Sequence, residues 1–316
     1  KSMSLGNVFN LTLLHQTIVQ ATPLLLTALG GVFSERSGTA NIALEGIIMM
    51  GAFFGYAGTY YTGNPWFGIV CAMAAGVVVS LIHAVVTATY KVDHIVSGIA
   101  LNILCQGLTG YLLVVLFQSQ GSAREFVAQL PTISIPFLKA IPVVGPVLDA
   151  VFSQGPLVYL AFILVLVSRF ILDKTVFGLR FTSVGEAPQV ADSLGVQVAP
   201  IQYAGVLISG LLAGAAGAQL TIGTMPRFVY LMSGGRGYIA LAAVILGKWQ
   251  PTGVMWSSLL FGFFFSLADN LQGTGFAIPN EIFLMLPFIL TIVVVSGVIG
   301  HSEGPAHSGK PYVKEL

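Results

Sequence analysis

Polar side chains recur at helical spacing inside long apolar runs of this sequence. Asn41 and Glu45 are four residues apart, as are Asn102 and Gln106, so each pair would share one helix face. Amides donate and accept hydrogen bonds, and a carboxyl group can also bind a proton. Such residues suit recognition of a neutral, hydrogen-bonding solute. With a third pair near the end of a late apolar run, the candidate substrate pathway comprises Asn41, Glu45, Asn102, Gln106, Asp269 and Asn270.

Each of these polar pairs also has a structural explanation. An ionised group in hydrocarbon costs about 3 kcal/mol on insertion scales, so it usually faces a bundle interior or a water-filled cavity. Glu45 could instead be protonated or bind a backbone donor. Asn102 and Gln106 could form interhelical hydrogen bonds worth about 0.6 kcal/mol each. Asp269 and Asn270 could simply mark the end of a span.

The composition defines the environment of these residues. Only 8% of the 316 residues are charged, 55% are hydrophobic, and the mean hydropathy is +0.88. Soluble domains carry about 25% charged residues, which excludes an ordinary soluble enzyme, a nucleic-acid-binding protein and a disordered chain. Cys71 and Cys105 lie in apolar runs, where they are expected to be small buried hydrophobes. We expect no metal and no cofactor, and the lipid bilayer is the expected surrounding.

Apolar runs of roughly 20 residues predict membrane-crossing helices. Eight runs are long enough, and 237–247 is too short to cross alone and is expected to be a short or re-entrant helix. The eight are 9–32, 41–61, 66–90, 94–117, 156–172, 200–222, 253–270 and 282–300. The expected fold is an all-α polytopic membrane protein, a single domain over 1–316 with about 8–10 transmembrane helices.

Three polar or proline-containing stretches set the expected topology. Residues 118–155 contain four prolines and predict an external loop with short interfacial helices. Residues 173–199 form the longest polar stretch between spans, and 301–316 form a polar tail expected to be mobile. More Lys and Arg residues fall on the same side of the membrane as 173–199 than on the opposite side. The positive-inside rule therefore predicts a cytoplasmic C-terminus and an external N-terminus.

A repeat links two parts of the chain. Residues 38–51 align with 235–248 at an offset of 197. The identical pairs are Gly38/Gly235, Ile42/Ile239, Ala43/Ala240, Leu44/Leu241 and Ile48/Ile245. In the predicted topology the two copies run in opposite directions, and inverted repeats with short helices are typical of transporters. Chance similarity between two Ala/Leu/Ile-rich helices is the alternative.

The sequence contains no motif that would supply energy or covalent chemistry. It has no Gly-x-x-x-x-Gly-Lys-Ser/Thr phosphate loop and no HExxH, CxxC or Gly-x-Ser-x-Gly motif. The protein is therefore not expected to be an enzyme. If it pumps, an ion gradient or a partner ATPase must supply the energy.

Three segments resemble a known family. They are GGVFSERSGTANIALEGIIMMGAFFGY (30–56), GLRFTSVGEAPQVADSLGV (178–196) and GRGYIALAAVILGKWQPTG (235–253). Together they resemble the membrane permeases of bacterial ABC importers in the branched-chain amino acid/ribose/simple-sugar group, and most of all the nucleoside importer permeases. The resemblance implies a nucleoside permease of the bacterial cell membrane that works by alternating access. The same machinery carrying a simple sugar or a branched-chain amino acid is an alternative, as is a gradient-driven transporter using Glu45 or Asp269 as a proton site.

The resemblance also implies partners. They are a second permease, identical or related, cytoplasmic ATPase subunits, and an extracytoplasmic substrate-binding (lipo)protein, with no nucleic acid. Within 173–199, the segment 178–196 would be a short cytoplasmic helix that docks on the ATPase, although a plain loop between spans is the alternative. The residues that would carry this coupling are Gly185, Glu186, Ala187, Pro188, Ala191 and Asp192.

Overall fold

The computed structural model describes residues 11–134, 145–273, 282, 285–295 and 303–313. Twelve α-helices form within these residues, and their packing is all-α, with only isolated β-bridges between loops. They are α1 (Leu11–Arg36), α2 (Leu44–Thr62), α3 (Pro65–Ala84), α4 (His94–Phe117), α5 (Gly145–Phe152), α6 (Pro156–Lys174), α7 (Val176–Glu186), α8 (Pro188–Ser193), α9 (Val198–Ala218), α10 (Arg236–Leu246), α11 (Pro251–Gly273) and α12 (Leu286–Val295). Helices α3 and α9 continue as π-helical turns over Val85–Thr89 and Gln219–Thr224.

Local sequence explains where several helices begin. Asn64 accepts a hydrogen bond from the Trp66 N–H ahead of Pro65, the first residue of α3. The Asp93 carboxylate accepts the N–H groups of Ile95 and Val96 at the start of α4. These side chains satisfy N–H groups that lack a partner within the helix.

The apolar runs form helices as predicted, which confirms an all-α polytopic membrane protein. Within the described residues, six helices are long and apolar enough to cross a membrane: Leu11–Arg36, Pro65–Thr89, His94–Phe117, Pro156–Lys174, Val198–Thr224 and Pro251–Gln272. The predicted span 41–61 forms α2, which starts at Leu44 and is less apolar because Glu45 and several tyrosines belong to it. The predicted short helix forms α10, of 11 residues. The last predicted span, 282–300, lies partly outside the described residues.

The packing repeats between the two ends of the chain, with α1–α4 matching α9–α12. Helix α1 packs on α11 as α9 packs on α3, and α10 contacts α1, α11 and α12 as α2 contacts α9, α3 and α4. Helices α1 and α9 are antiparallel, since Gly30 lies beside Ser209 and Ser37 beside Gly205. The predicted inverted repeat is therefore present in the packing.

The connecting segments gather at two opposite ends of the bundle, named here the Arg36 end and the Gln118 end. At the Gln118 end, the chain after α4 pairs with the chain after α9, where Ala123 N–H donates to the Phe228 carbonyl at 2.8 Å. At the Arg36 end lie α7, α8 and the segment 303–313. This last segment is packed against α7, in contrast to the mobile tail expected from its polarity, because its backbone N–H groups find acceptors there.

Candidate functional site

The first turns of α2 and α10 meet at Glu45, which is 4% exposed. Its carboxylate oxygens accept the backbone N–H groups of Gly235 at 2.8 Å and Gly237 at 2.7 Å. The first N–H groups of a helix have no internal partner and carry the positive end of its dipole. Glu45 therefore caps α10 through backbone donors, which was one of the two structural alternatives to a pathway role. The two helices run antiparallel here, because Met49, one turn further along α2, contacts Ser233.

Asn102 of α4 caps the other half of this junction. Its Oδ1 accepts the Gly46 N–H of α2 at 2.7 Å, while its Nδ2 donates to the Ile42 carbonyl at 2.9 Å and to the Tyr238 hydroxyl at 3.0 Å. The side chain is 2% exposed. One amide thus joins α4 to the start of α2 and to α10, which are the two repeated helices.

Asn41 and Gln106, the other members of the two predicted pairs, differ from each other in their surroundings. Asn41 is fully buried, accepts the Ala43 N–H at 3.2 Å and donates to the Ser209 hydroxyl at 3.0 Å. It therefore fixes the turn before α2 against α9. Gln106 is half-buried, and its side chain makes no hydrogen bond to the described part of the chain.

Arg236 places a cation beside this junction. Its Nη2 donates to Gln20 Oε1 at 3.2 Å, and Gln20 Nε2 donates to Asp269 Oδ2 at 2.9 Å. The guanidinium carbon lies 4.9 Å from the centre of the Phe265 ring, a favourable cation–π distance. A series of polar contacts therefore connects α10, α1 and α11. Asp269 is part of it, whereas the Asn270 amide nitrogen is buried without a partner among the described residues.

Sequence reasoning missed Arg236 and Gln20 as site residues. The signal that could have found Arg236 is its place directly after Gly235, at the start of the second repeat copy. The partners Gln20 and Asp269 are 216 and 33 residues away from it, so spacing alone does not reveal them.

The chemistry available at this junction is hydrogen bonding and charge compensation. The described residues contain no group of three or more His, Cys, Asp or Glu residues that could hold a metal ion. His83 bonds Ser97 Oγ at 2.9 Å and the Ala40 carbonyl at 3.2 Å. It holds α3, α4 and the turn before α2 together.

The predicted coupling residues lie at the Arg36 end in two helices rather than one. Helix α7 ends at Glu186, Ala187 adopts φ −146° and ψ 79°, and Pro188 starts α8. A Cβ on Gly185 would collide with the Arg36 carbonyl, so glycine is required for this close approach. Pro188 and Ala191 are buried. Pro188 and Ala191 therefore pack inward, whereas Glu186 is exposed and Asp192 is half-buried.

The exposed side chains of the same helices include three large apolar ones. The side chains of Val190 and Leu194 are 57% and 78% exposed, and Leu179 on α7 is 68% exposed. Sequence reasoning passed over these residues, although the four-residue spacing of Val190 and Leu194 indicates a shared face.

Residues 303–313 fasten α7 and α8 to the bundle. The N–H groups of Ala306 and His307 donate to Glu186 Oε2 at 3.3 Å and to the Gly185 carbonyl at 2.9 Å, and Gly309 N–H donates to the Gly38 carbonyl. Tyr312 is buried and its hydroxyl donates to Asp192 Oδ2 at 3.1 Å. Burial, with a smaller contribution from the Lys310 ammonium, lowers the pKa of His307.

Comparison with known proteins identifies the family of this chain. Residues 13–295 match the family described as branched-chain amino acid transport system / permease component. The chain belongs to this permease family. This confirms the resemblance found in the three sequence segments.

Individual relatives of this permease cover nearly its whole length. The guanosine ABC transporter permease protein NupQ of Bacillus subtilis is 42% identical over 94% of the chain and 95% of its own length. The nucleoside ABC transporter permease protein NupC of Lactococcus lactis is 40% identical with the same coverage. The guanosine ABC transporter permease protein NupP, also of Bacillus subtilis, is 25% identical over 89% of the chain and 80% of its own length.

Proposed function

We propose that this permease forms the translocation pathway of an ATP-driven nucleoside importer. The observation that carries the proposal is the 42% and 40% identity to two permeases named for guanosine and nucleosides, over 94% of the chain. The polar junction agrees with this cargo. Its charges compensate one another through Gln20 and through backbone donors, and a neutral nucleoside needs hydrogen bonds rather than a countercharge.

The pathway residues divide into two roles in this proposal. Asn41, Glu45 and Asn102 position the starts of α2 and α10, and Asp269 and Asn270 belong to the adjoining part of α11. Gln106, whose side chain makes no hydrogen bond to the described residues, contacts the cargo. Alternating access then requires the two repeats to move about this junction, since transporters built from inverted repeats work largely by rocking one repeat against the other around the site.

The topology and partners complete the proposal. The Arg36 end, with 173–199 and 301–316, faces the cytoplasm of a bacterial cell, and the N-terminus and the loop 118–155 lie outside. An ATPase subunit hydrolyses ATP and docks on α7 and α8, and a substrate-binding (lipo)protein docks at the Gln118 end. The second permease is a related chain, because NupQ and NupP are both named as guanosine permeases of one organism.

Uptake into proteoliposomes tests this function. The chain is reconstituted with its ATPase and second permease, and labelled guanosine is offered with competing nucleosides, ribose, glucose or leucine. ATP-dependent uptake that only nucleosides inhibit supports the proposal. Inhibition by a sugar or by leucine would redirect it to that cargo. Uptake that an ionophore abolishes and ATP does not affect would favour a gradient-driven transporter.

The exposed apolar face of α8 yields a mutational prediction. Val190→Asp with Leu194→Asp is expected to reduce ATP-dependent uptake at least about tenfold, because two carboxylates would be desolvated against the ATPase. Co-purification of the ATPase with the permease should fall in parallel. The side chain of Val313 is 64% exposed at the same end of the bundle, so Val313→Asp is the matched control. Equal ATPase recovery from both variants would contradict docking at α8.

Tyr312 provides a second prediction at this end. Tyr312→Ala should loosen α8, because the ring packs with Val184, Ala191 and Val198 and the hydroxyl bonds Asp192. Limited proteolysis within 186–196 is expected to accelerate severalfold while the chain stays inserted. Tyr312→Phe keeps the ring and should show a smaller effect. Unchanged proteolysis of Tyr312→Ala would show that the tail does not hold the coupling helices.

A further inference from the structure

We infer that Tyr238, Gln106 and Tyr230 form a stripe that binds the flat base of the cargo, with the two rings as stacking surfaces and the Gln106 amide as the group that contacts the base edge. The inference rests on the proposed nucleoside transport and goes beyond it, because it assigns recognition of the base to particular side chains. Neither tyrosine was a candidate from the sequence.

The two rings lie along one face of α4. Residues 102, 106 and 110 are four apart and share that face. The Asn102 amide donates to the Tyr238 hydroxyl at 3.0 Å, and a Cβ on Gly110 would lie 3.0 Å from Cε2 of Tyr230. The two contact points are eight residues apart, or ~12 Å along the helix. Gln106 occupies the turn between them.

This stripe is exposed on the surface of the single chain. Tyr238 is 46% exposed and Tyr230 is 37% exposed. Gln106 is half-buried, and a Cβ placed on the neighbouring Gly107 would meet nothing within 4 Å. The helix surface next to Gln106 is therefore open at Gly107, and the donor and acceptor of the Gln106 amide are both unused by the described residues.

The position of the stripe within α4 argues against contact with lipid. Gln106 lies near the middle of this 24-residue helix, whereas aromatic and polar belts in membrane proteins lie at the two interfaces. An amide facing hydrocarbon would lose its hydrogen bonds at a cost. The side of α4 opposite Gln106 suits lipid instead, since its exposed side chains Leu104 and Val115 are aliphatic. The polar stripe thus marks the side of α4 that faces the second permease and the cargo between them.

The chemistry of the stripe fits a base better than a sugar or an amino acid. Stacking on an aromatic ring is available to every nucleobase because each has a π-face. The glutamine amide can donate to and accept from the edge of a base at the same time. A site of this kind accepts several nucleosides while giving a free sugar no stacking partner.

The test uses the complete reconstituted transporter and separates the contribution of each aromatic ring from that of its hydroxyl group. Tyr238→Leu and Tyr230→Leu are expected to lower nucleoside uptake at subsaturating concentration roughly tenfold each, the effect of losing one stacked base. Tyr238→Phe and Tyr230→Phe keep the ring and should restore most of the uptake. Tyr111→Leu changes a 65% exposed tyrosine next to Gly110 on α4 and is the matched control. A photoactivatable nucleoside should label the wild-type stripe and lose that labelling in the Leu variants.

The outcomes distinguish this inference from the proposed function. If the wild-type complex takes up no nucleoside, the proposed function fails. If it transports nucleosides and the Leu variants do so equally well, only the stacking inference is overturned. The same holds if the Phe variants are as impaired as the Leu variants, because the hydroxyl contact rather than the ring would then matter. ATP hydrolysis by each complex, measured without cargo, identifies variants that fail to assemble.

Discussion

Glu45→Ala is expected to abolish transport and to lower the stability of the chain. The substitution leaves the buried N–H groups of Gly235 and Gly237 without the carboxylate that accepts them. A buried donor without an acceptor costs about 1–3 kcal/mol, so a loss of about 3 kcal/mol is expected for the pair. It also removes the negative charge beside Arg236 and at the positive end of the α10 dipole. Thermal unfolding of the purified protein in detergent and nucleoside uptake both report the change.

Glu45→Gln separates a capping role from proton transport. The amide oxygen can accept one of the two N–H groups, but its NH₂ group faces the other, so stability should fall between wild type and Glu45→Ala. Uptake should decrease in step with stability. Were Glu45 a proton-coupling site, Glu45→Gln would lose uptake at full stability. Glu303→Ala removes an exposed carboxylate in the segment 303–313 and serves as the control for charge alone.

The helices of the bundle were predictable because membrane insertion imposes long apolar runs that can be counted in a sequence. The short α10 was also predictable, since eleven apolar residues do not cross a bilayer. The contact that fixes its start was not, because the glycine-rich turn before it is stabilised by Glu45, which is 190 residues distant. Local sequence does not contain that contact.

The polar residues were found by their position in apolar runs, but their partners were not. Asn41, Glu45 and Asn102 bond mainly to backbone groups at helix starts, because two helices that begin inside the bundle expose N–H groups that need acceptors there. Those acceptors come from other helices. The inward packing of Ala191 could not be predicted for a related reason, since the identity of a residue in a polar segment does not tell which face of a two-turn helix packs inward.

Gly76→Val is expected to have the largest effect on folding. Helices α3 and α9 cross at Gly76 and Gly210 so closely that a Cβ on Gly76 would overlap the Gly210 carbonyl oxygen. The obstructing atoms are backbone, which cannot rotate away as a flexible side chain would. The two helices must therefore separate, and small residues at such crossings are what permits close packing in membranes. We expect the variant to reach the membrane but to lose its folded peak in detergent size-exclusion chromatography.

The inverted repeat supplies a matched partner and a control for this prediction. At the equivalent crossing of α1 and α11, a Cβ on Gly262 would lie 2.6 Å from the Ala21 Cβ and 2.7 Å from the Thr17 carbonyl oxygen. Gly262→Val should therefore also destabilise the bundle, though less than Gly76→Val because these contacts are longer than the one between a Gly76 Cβ and the Gly210 carbonyl oxygen. Gly107→Ala, in open space on helix α4, should be neutral or stabilising by about 0.5–1 kcal/mol. If all three variants unfold at the same temperature, the crossings do not depend on glycine, and the packing that relates the two repeats would have to differ from the one described.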